Sequence, residues 1–325
     1  MSKNILIIIS FVVLLIGCKN NQTNVNESNN SLKIIDNTPD SEIVDNILID
    51  SVLEVQEIKA LKKIEDNYRC QVFEEYKIPE PSKFNFNSKN INPDFSVLFS
   101  TASNNEYQTT FSKSIVLGIF TADLVYTNSF QNANYVNNYY KVVVDISYDL
   151  GISDAFSEND ADLFLNPDNF DTLSIIINRN IQNTCSQLSE SKAYDQLPFI
   201  VYGGWIESVF LLTNTLIQNP DVTEKLYKQL SNQKNVIGNL IEFFNSILLD
   251  AESFDLSNRI QSIITDLEML KLSFENSYNS SNYILSVDEL SKIFIDISMI
   301  RKSSTQEPNE KHFQQQQMMQ KQSLE

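Results

Sequence analysis

The sequence predicts an all-α fold: a multi-helix bundle of nine or ten helices forming a single large domain. Three observations carry this expectation. Glycine and proline are scarce, with six and eight in 325 residues, which favours long helices over hairpins and sandwiches. Apolar residues recur at three- and four-residue steps. Phe170, Leu173, Ile177, Ile181, Thr184 and Leu188 follow that spacing, with Thr184 the one polar member, and so do Leu256, Ile260, Ile263, Leu267, Leu270 and Phe274. Each set is the single stripe of an amphipathic helix. Explicit end signals separate the helices: Gly151 follows Leu150 as a C-terminal cap, Pro220 divides two segments, and Ser286-Val287-Asp288-Glu289 has the Ser-x-x-Glu form of a capping box.

In chain order, residues 1–17 hold a basic start and the apolar run Ile5 to Ile16, too short and too early for a comfortable membrane span. Residues 18–40 are rich in Asn and Ser and read as a solvated tether. The helical domain is expected over 41–301, beginning with a long first helix to about Tyr76 that carries Ile43, Ile47, Ile58 and Leu61. Pro79, Pro81 and Pro93 then enforce an extended connection. Helices are expected at about 94–101, 109–130, 133–150, 154–164, 168–189, 193–218, 222–249, 254–279 and 287–301. Residues 302–325, with the run Gln314 to Gln317, read as a disordered Gln-rich tail. No second hydrophobic run of spanning length is expected downstream of the first.

Leu15-Ile16-Gly17-Cys18 resembles the lipobox of a bacterial lipoprotein signal peptide. That resemblance implies cleavage before Cys18, lipidation of its thiol, and a membrane anchor made of two or three acyl chains, each buried methylene contributing roughly 0.8 kcal/mol. Lys19 is not the aspartate that resembles an inner-membrane retention signal, and Lys19 to Asn26 contains no Asp or Glu. The expected address is therefore the cell envelope, at the outer membrane and facing the periplasm.

Leu117-Gly118-Ile119-Phe120-Thr121-Ala122-Asp123-Leu124-Val125-Tyr126 and Leu197-Pro198-Phe199-Ile200-Val201-Tyr202-Gly203-Gly204-Trp205-Ile206-Glu207 look least like generic helix. Together with Tyr76-Lys77-Ile78-Pro79, Asp149-Leu150-Gly151-Ile152 and Asn169-Phe170-Asp171-Thr172-Leu173, they resemble an uncharacterised family of helical lipoproteins from the Bacteroidetes. The resemblance spans about Tyr76 to Leu216 and brings no activity or catalytic residue with it. Asp50-Ser51-Val52 and Asp171-Thr172-Leu173 also resemble the O-glycosylation acceptors of that phylum.

Composition narrows the chemistry. A net charge of −18 repels nucleic acid and anionic headgroups, so no nucleic-acid partner is expected. The only histidine, His312, lies in the tail, which leaves the folded body without a base for a Ser-His or Cys-His pair. With Cys18 lipidated, Cys70 and Cys185 remain; in an oxidising compartment they could pair as a disulfide or stay as two buried thiols. No Cys-x-x-Cys or Cys/His cluster appears, so no metal and no cofactor is expected. Glu158, Asp160, Asp162, Asn166, Asp168 and Asp171 concentrate oxygen ligands, but Leu163 and Asn169 stand where an EF-hand loop needs Gly and Glu.

Glycine inside a helix costs about 1 kcal/mol relative to alanine, so Gly118, Gly203 and Gly204 point to a close crossing of two helices. The same region offers a second reading, in which Asp123, Tyr126, Tyr202, Trp205 and Glu207 gather as a polar pocket in an apolar wall. Tyr126, Phe130, Tyr135, Tyr139, Tyr140 and Tyr148 form an aromatic cluster read as interhelical core, with a sugar platform as the alternative. The sequence thus points to a lipid-anchored envelope protein acting as a non-catalytic binding or interaction module for a small ligand or another envelope protein. Two alternatives stand beside it. One is a carboxylate-dependent hydrolase using Asp123 and Glu207, which needs both on an open cleft. The other is a structural spacer with an exposed apolar face on its first helix.

Overall fold

In the computed structural model the described residues are 71–306, apart from 85, 87–90, 157, 166–168, 191–192, 194, 222–223, 252 and 279–282. The expected signal peptide, Cys18, the expected tether, most of the expected first helix, Cys70, the Asp50-Ser51-Val52 tripeptide, His312 and the residues beyond 306 lie outside them.

The fold is all-α. Among the described residues there are nine α-helices and no strand: α1 (Gln71–Glu75), α2 (Thr110–Ser129), α3 (Ala133–Asp149), α4 (Glu158–Leu165), α5 (Phe170–Glu190), α6 (Leu197–Gln218), α7 (Glu224–Asp250), α8 (Phe254–Ser277) and α9 (Val287–Ser304). They belong to one compact unit. The end signals act as the sequence implies. Gly151 takes φ of +74° beyond α3, where a side chain is disfavoured. Ser286 and Glu289 form both halves of the capping box on α9.

Two helices make the centre. In α2, 15 of 20 residues are buried, and in α6, 19 of 22, so neither is amphipathic and both are wrapped on all sides. They form the most extensive helix pair. α3 and α5 pack on α2, α9 and α7 pack on α6, and α8 bridges α7 and α9. The expected stripes face inward. Leu173, Ile177, Thr184 and Leu188 are buried on α5, as are Ile260, Ile263, Leu267, Leu270 and Phe274 on α8. α6 is long and apolar enough to cross a membrane, with a mean hydropathy of 1.3 over its most apolar window, 89% of it buried in the protein. The expectation of no second run of that kind is therefore corrected: α6 is such a run, used here as a core helix.

Four boundaries differ from expectation by more than two residues, one of them the start of α6, which falls at Leu197 rather than at 193. The helix expected at 94–101 is instead two 3-10 turns, Phe95–Val97 and Thr101–Glu106. Asp94 accepts from the N–H of Ser96 at 3.0 Å, and Leu98 turns extended at φ −62°, ψ 152°, which frees the 97–99 backbone to bond side chains of the core. The helix expected at 154–164 starts later, after a 3-10 turn at Ser153–Ala155. α9 runs to Ser304, past the expected end at 301, because Arg301 and Ser304 are both bonded to α6, the latter through the Tyr202 hydroxyl at 3.0 Å.

Candidate functional site

The glycines mark the crossing of α2 and α6. A Cβ on Gly118 would sit 2.1 Å from the carbonyl oxygen of Ile200, and one on Gly203 would sit 2.0 Å from that of Ile115. Both contacts are with backbone, so the two helices touch main chain to main chain. Gly204 is less constrained, its Cβ position lying 3.0 Å from the Pro81 side chain. The absent side chains are what allow the approach.

One turn beyond that crossing, Asp123 of α2 meets Glu207 of α6. Both have 0% exposure. Arg301 of α9 answers Glu207 with two hydrogen bonds, from Nη2 to Oε1 at 2.8 Å and from Nε to Oε2. Its Nη2 also donates to the Val97 carbonyl at 3.2 Å. The guanidinium carbon lies 4.2 Å from the Phe210 ring centroid and 4.9 Å from that of Phe99, so rings cover the charge that the carboxylate neutralises.

Asp123 has a different fate. Its Oδ2 accepts from the N–H of Phe99 at 3.1 Å, while Oδ1 receives no donor. Burial, and next the charge of Glu207, push this carboxyl well above the usual carboxylate range, although Arg301 and the Phe99 N–H pull the other way. The raised carboxyl favours the neutral form of Asp123, whose hydroxyl would have Glu207 as its acceptor. One proton, one carboxylate and one guanidinium then make a neutral buried cluster. Burial disfavours charge on Arg301, but Glu207, Asp123 and Tyr139 together outweigh it and raise the guanidinium further. The Tyr139 hydroxyl closes the cluster by donating to the Phe99 carbonyl at 2.7 Å, and burial raises its pKa.

The other pocket candidates do not line an opening here. Trp205 Nε1 donates to Gln233 Oε1 at 2.9 Å. Tyr202 is bonded to Ser304, and Tyr126 packs edge-on against Phe86, Phe95 and Phe130. Each is at most 1% exposed. Asp123, Tyr126, Tyr202, Trp205 and Glu207 therefore sit in a closed interior rather than around a cavity, and the open cleft required of a hydrolase using Asp123 and Glu207 is missing at these residues. The aromatic cluster is largely interior too. Tyr126, Tyr139 and Tyr140 are buried, Tyr140 stacking on Phe164 at 3.7 Å, whereas Tyr135 and Tyr148 are exposed.

In the acidic segment Asp160 is ion-paired with Arg179 and Asp162 is exposed. Among the described residues no group of three or more His, Cys, Asp or Glu side chains gathers. Thr172 lies in the first turn of α5, its N–H bonded to Asn169 Oδ1 at 3.0 Å.

An opening does exist on the other side of the same crossing. Gly118, Leu117, Thr121 and Leu124 of α2 form one wall, and Ile177, Asn180, Ile181 and Thr184 of α5 the facing one. Tyr140 and Val143 of α3 and Leu197, Ile200 and Val201 of α6 complete it, with Phe73 and Pro81 at the side. The cavity measures about 50 Å³ within about 640 Å³ of empty space continuous with solvent. Its walls are almost wholly apolar. Cys185, on the same wall of α5, is disulfide-bonded, and its partner lies outside the described residues.

Sequence reasoning missed this crevice. The available signal was polar residues, Asn180 and Thr184, on the buried stripe of α5. The chain matches no family model, no curated protein and no solved structure.

Proposed function

We propose that this chain is a lipid-anchored protein of the cell envelope that acts as a non-catalytic binding module. The observation that carries the binding reading is the crevice between α2 and α5, an apolar space with an opening and a few polar groups, the usual form of a small-molecule site. The closed cluster of Asp123, Glu207 and Arg301 supports the non-catalytic part. Both carboxylates are fully buried, and Glu207 is held by Arg301, whose side chain alone keeps a small exposure. The lipobox and the disulfide at Cys185 favour an exported protein, since disulfides persist in oxidising compartments. The Leu117–Tyr126 and Tyr202–Glu207 motifs favour kinship with helical lipoproteins of the Bacteroidetes.

Native mass spectrometry of the protein released from its own envelope tests the reading. An added small-molecule mass that disappears on denaturation is expected. A bare chain mass in every preparation counts against a small ligand and for a protein partner. Radiolabelled palmitate should enter the chain and fail to enter the Cys18→Ala variant; equal labelling of both removes the anchor from the proposal.

A further inference from the structure

We propose that the crevice between α2 and α5 takes a neutral, chain-like apolar molecule that carries a hydrogen-bond donor, and that Asn180 Oδ1 receives that donor. The proposal rests on the binding reading above and specifies its ligand.

Three features select this class. The walls are aliphatic and aromatic, so a sugar or a polar peptide would lose its hydration without replacement. A cavity of about 50 Å³ admits a slender alkyl segment, with the rest of the chain lying in the open mouth. Asn180 lines this space at 4% exposure, and its Oδ1 has no hydrogen-bond partner. A buried acceptor left unmatched is a standing cost in the empty protein. A ligand hydroxyl or amide N–H removes that cost.

The other polar side chains do not compete for the role. Thr121 already donates to the Leu117 carbonyl at 2.7 Å, while the Thr184 and Tyr140 hydroxyls can turn to donate as well as accept and so, unlike Asn180 Oδ1, do not require a donor from the ligand. Among the described residues no Lys, Arg or His lines the crevice. A fatty carboxylate would bring its charge into an apolar space without a counter-ion, and would set an acceptor against an acceptor. A neutral alcohol or primary amide of the same chain avoids both penalties.

The test uses the full lipidated chain in nanodiscs at pH 8, with two photoreactive probes: a diazirine-bearing eight-carbon primary alcohol and the carboxylate of the same chain. Mass mapping should place the alcohol's label within residues 177–184 or 197–201, about tenfold above the carboxylate's, as expected for one hydrogen bond gained and one charge kept out. Asn180→Leu should abolish that preference. Ile181→Trp, which adds bulk to a half-buried wall residue, should abolish labelling in those segments while the circular dichroism stays helical. Equal labelling by both probes, label confined to other segments, or a preference unchanged in Asn180→Leu overturns the proposal. If the alcohol fails to label but native mass spectrometry still shows a bound small molecule, the ligand class is wrong and the binding reading stands. If neither probe labels and no bound mass is found, both fall.

Discussion

Arg301 on the last described helix donates to Glu207 on the central one across 94 positions of sequence, at 2.8 Å from Nη2 to Oε1. Between the rings of Phe99 and Phe210, the pair is the only described ion pair whose carboxylate is fully buried. Its role is therefore set by what happens when one member is removed.

Arg301→Leu should destabilise the protein by about 3–5 kcal/mol, because it strands Glu207 without a counter-ion in a dry interior. Adding Glu207→Gln to that variant should recover part of the loss. Denaturant unfolding of the parent, the single and the double variant measures both. A single variant within about 1 kcal/mol of the parent would mean that the pair is solvated.

Asp123→Asn should cost little, since burial and next the charge of Glu207 already disfavour the charged form of the carboxyl it replaces. The difference lies in pH dependence. A carboxyl raised above its unfolded value of 3.8 contributes stability that is complete below that value and is lost as pH climbs towards the folded pKa. Parent stability should therefore decline relative to Asp123→Asn as pH rises from about 4. Melting curves across pH, with the two proteins tracking in parallel as the contrary result, decide it.

Gly118→Ala and Gly203→Ala should each cost several kcal/mol, roughly the upper end of overpacking effects, because the new methyl meets backbone at about 2 Å. Gly238→Ala in α7 is the opposite case. Nothing lies within 4 Å of its Cβ position, so alanine should stabilise by about 0.5–1 kcal/mol. Thermal melts of the three should move in opposite directions.

Peptide mapping without reductant should join Cys185 to Cys70. Phe73 lines the same crevice as Cys185 and stands three residues after Cys70. Cys185→Ser should lower the melting temperature by the equivalent of about 2–5 kcal/mol, as for other native disulfides. Recovery of Cys185 with a free thiol from the oxidised protein would contradict this.

Most helices were legible because their signals are local. A stripe at 3.6-residue spacing, Gly151 at a C-terminal end and the Ser286–Glu289 box each speak within a few residues. The 94–101 segment was misread because its fate is non-local: its backbone bonds Asp123, Tyr139 and Arg301, none of which is near in sequence. The meeting of Asp123 and Glu207 followed from the glycines that bring α2 and α6 together. Arg301 could not have been found that way, since one cation at the end of an amphipathic helix looks like an ordinary dipole partner. The crevice was hidden for a related reason: spacing shows that the α5 stripe faces inward, not how closely its neighbours approach.

The order of synthesis gives the Glu207–Arg301 contact a further meaning. At about 5–20 residues per second, the 94 positions between them take roughly 5–20 s to emerge. Throughout that interval Glu207 has no guanidinium, so the central helices can close around it only as a neutral acid or not at all. A ribosome that stops short of Arg301 releases a chain that carries every glycine of the crossing and still lacks the cation its interior requires.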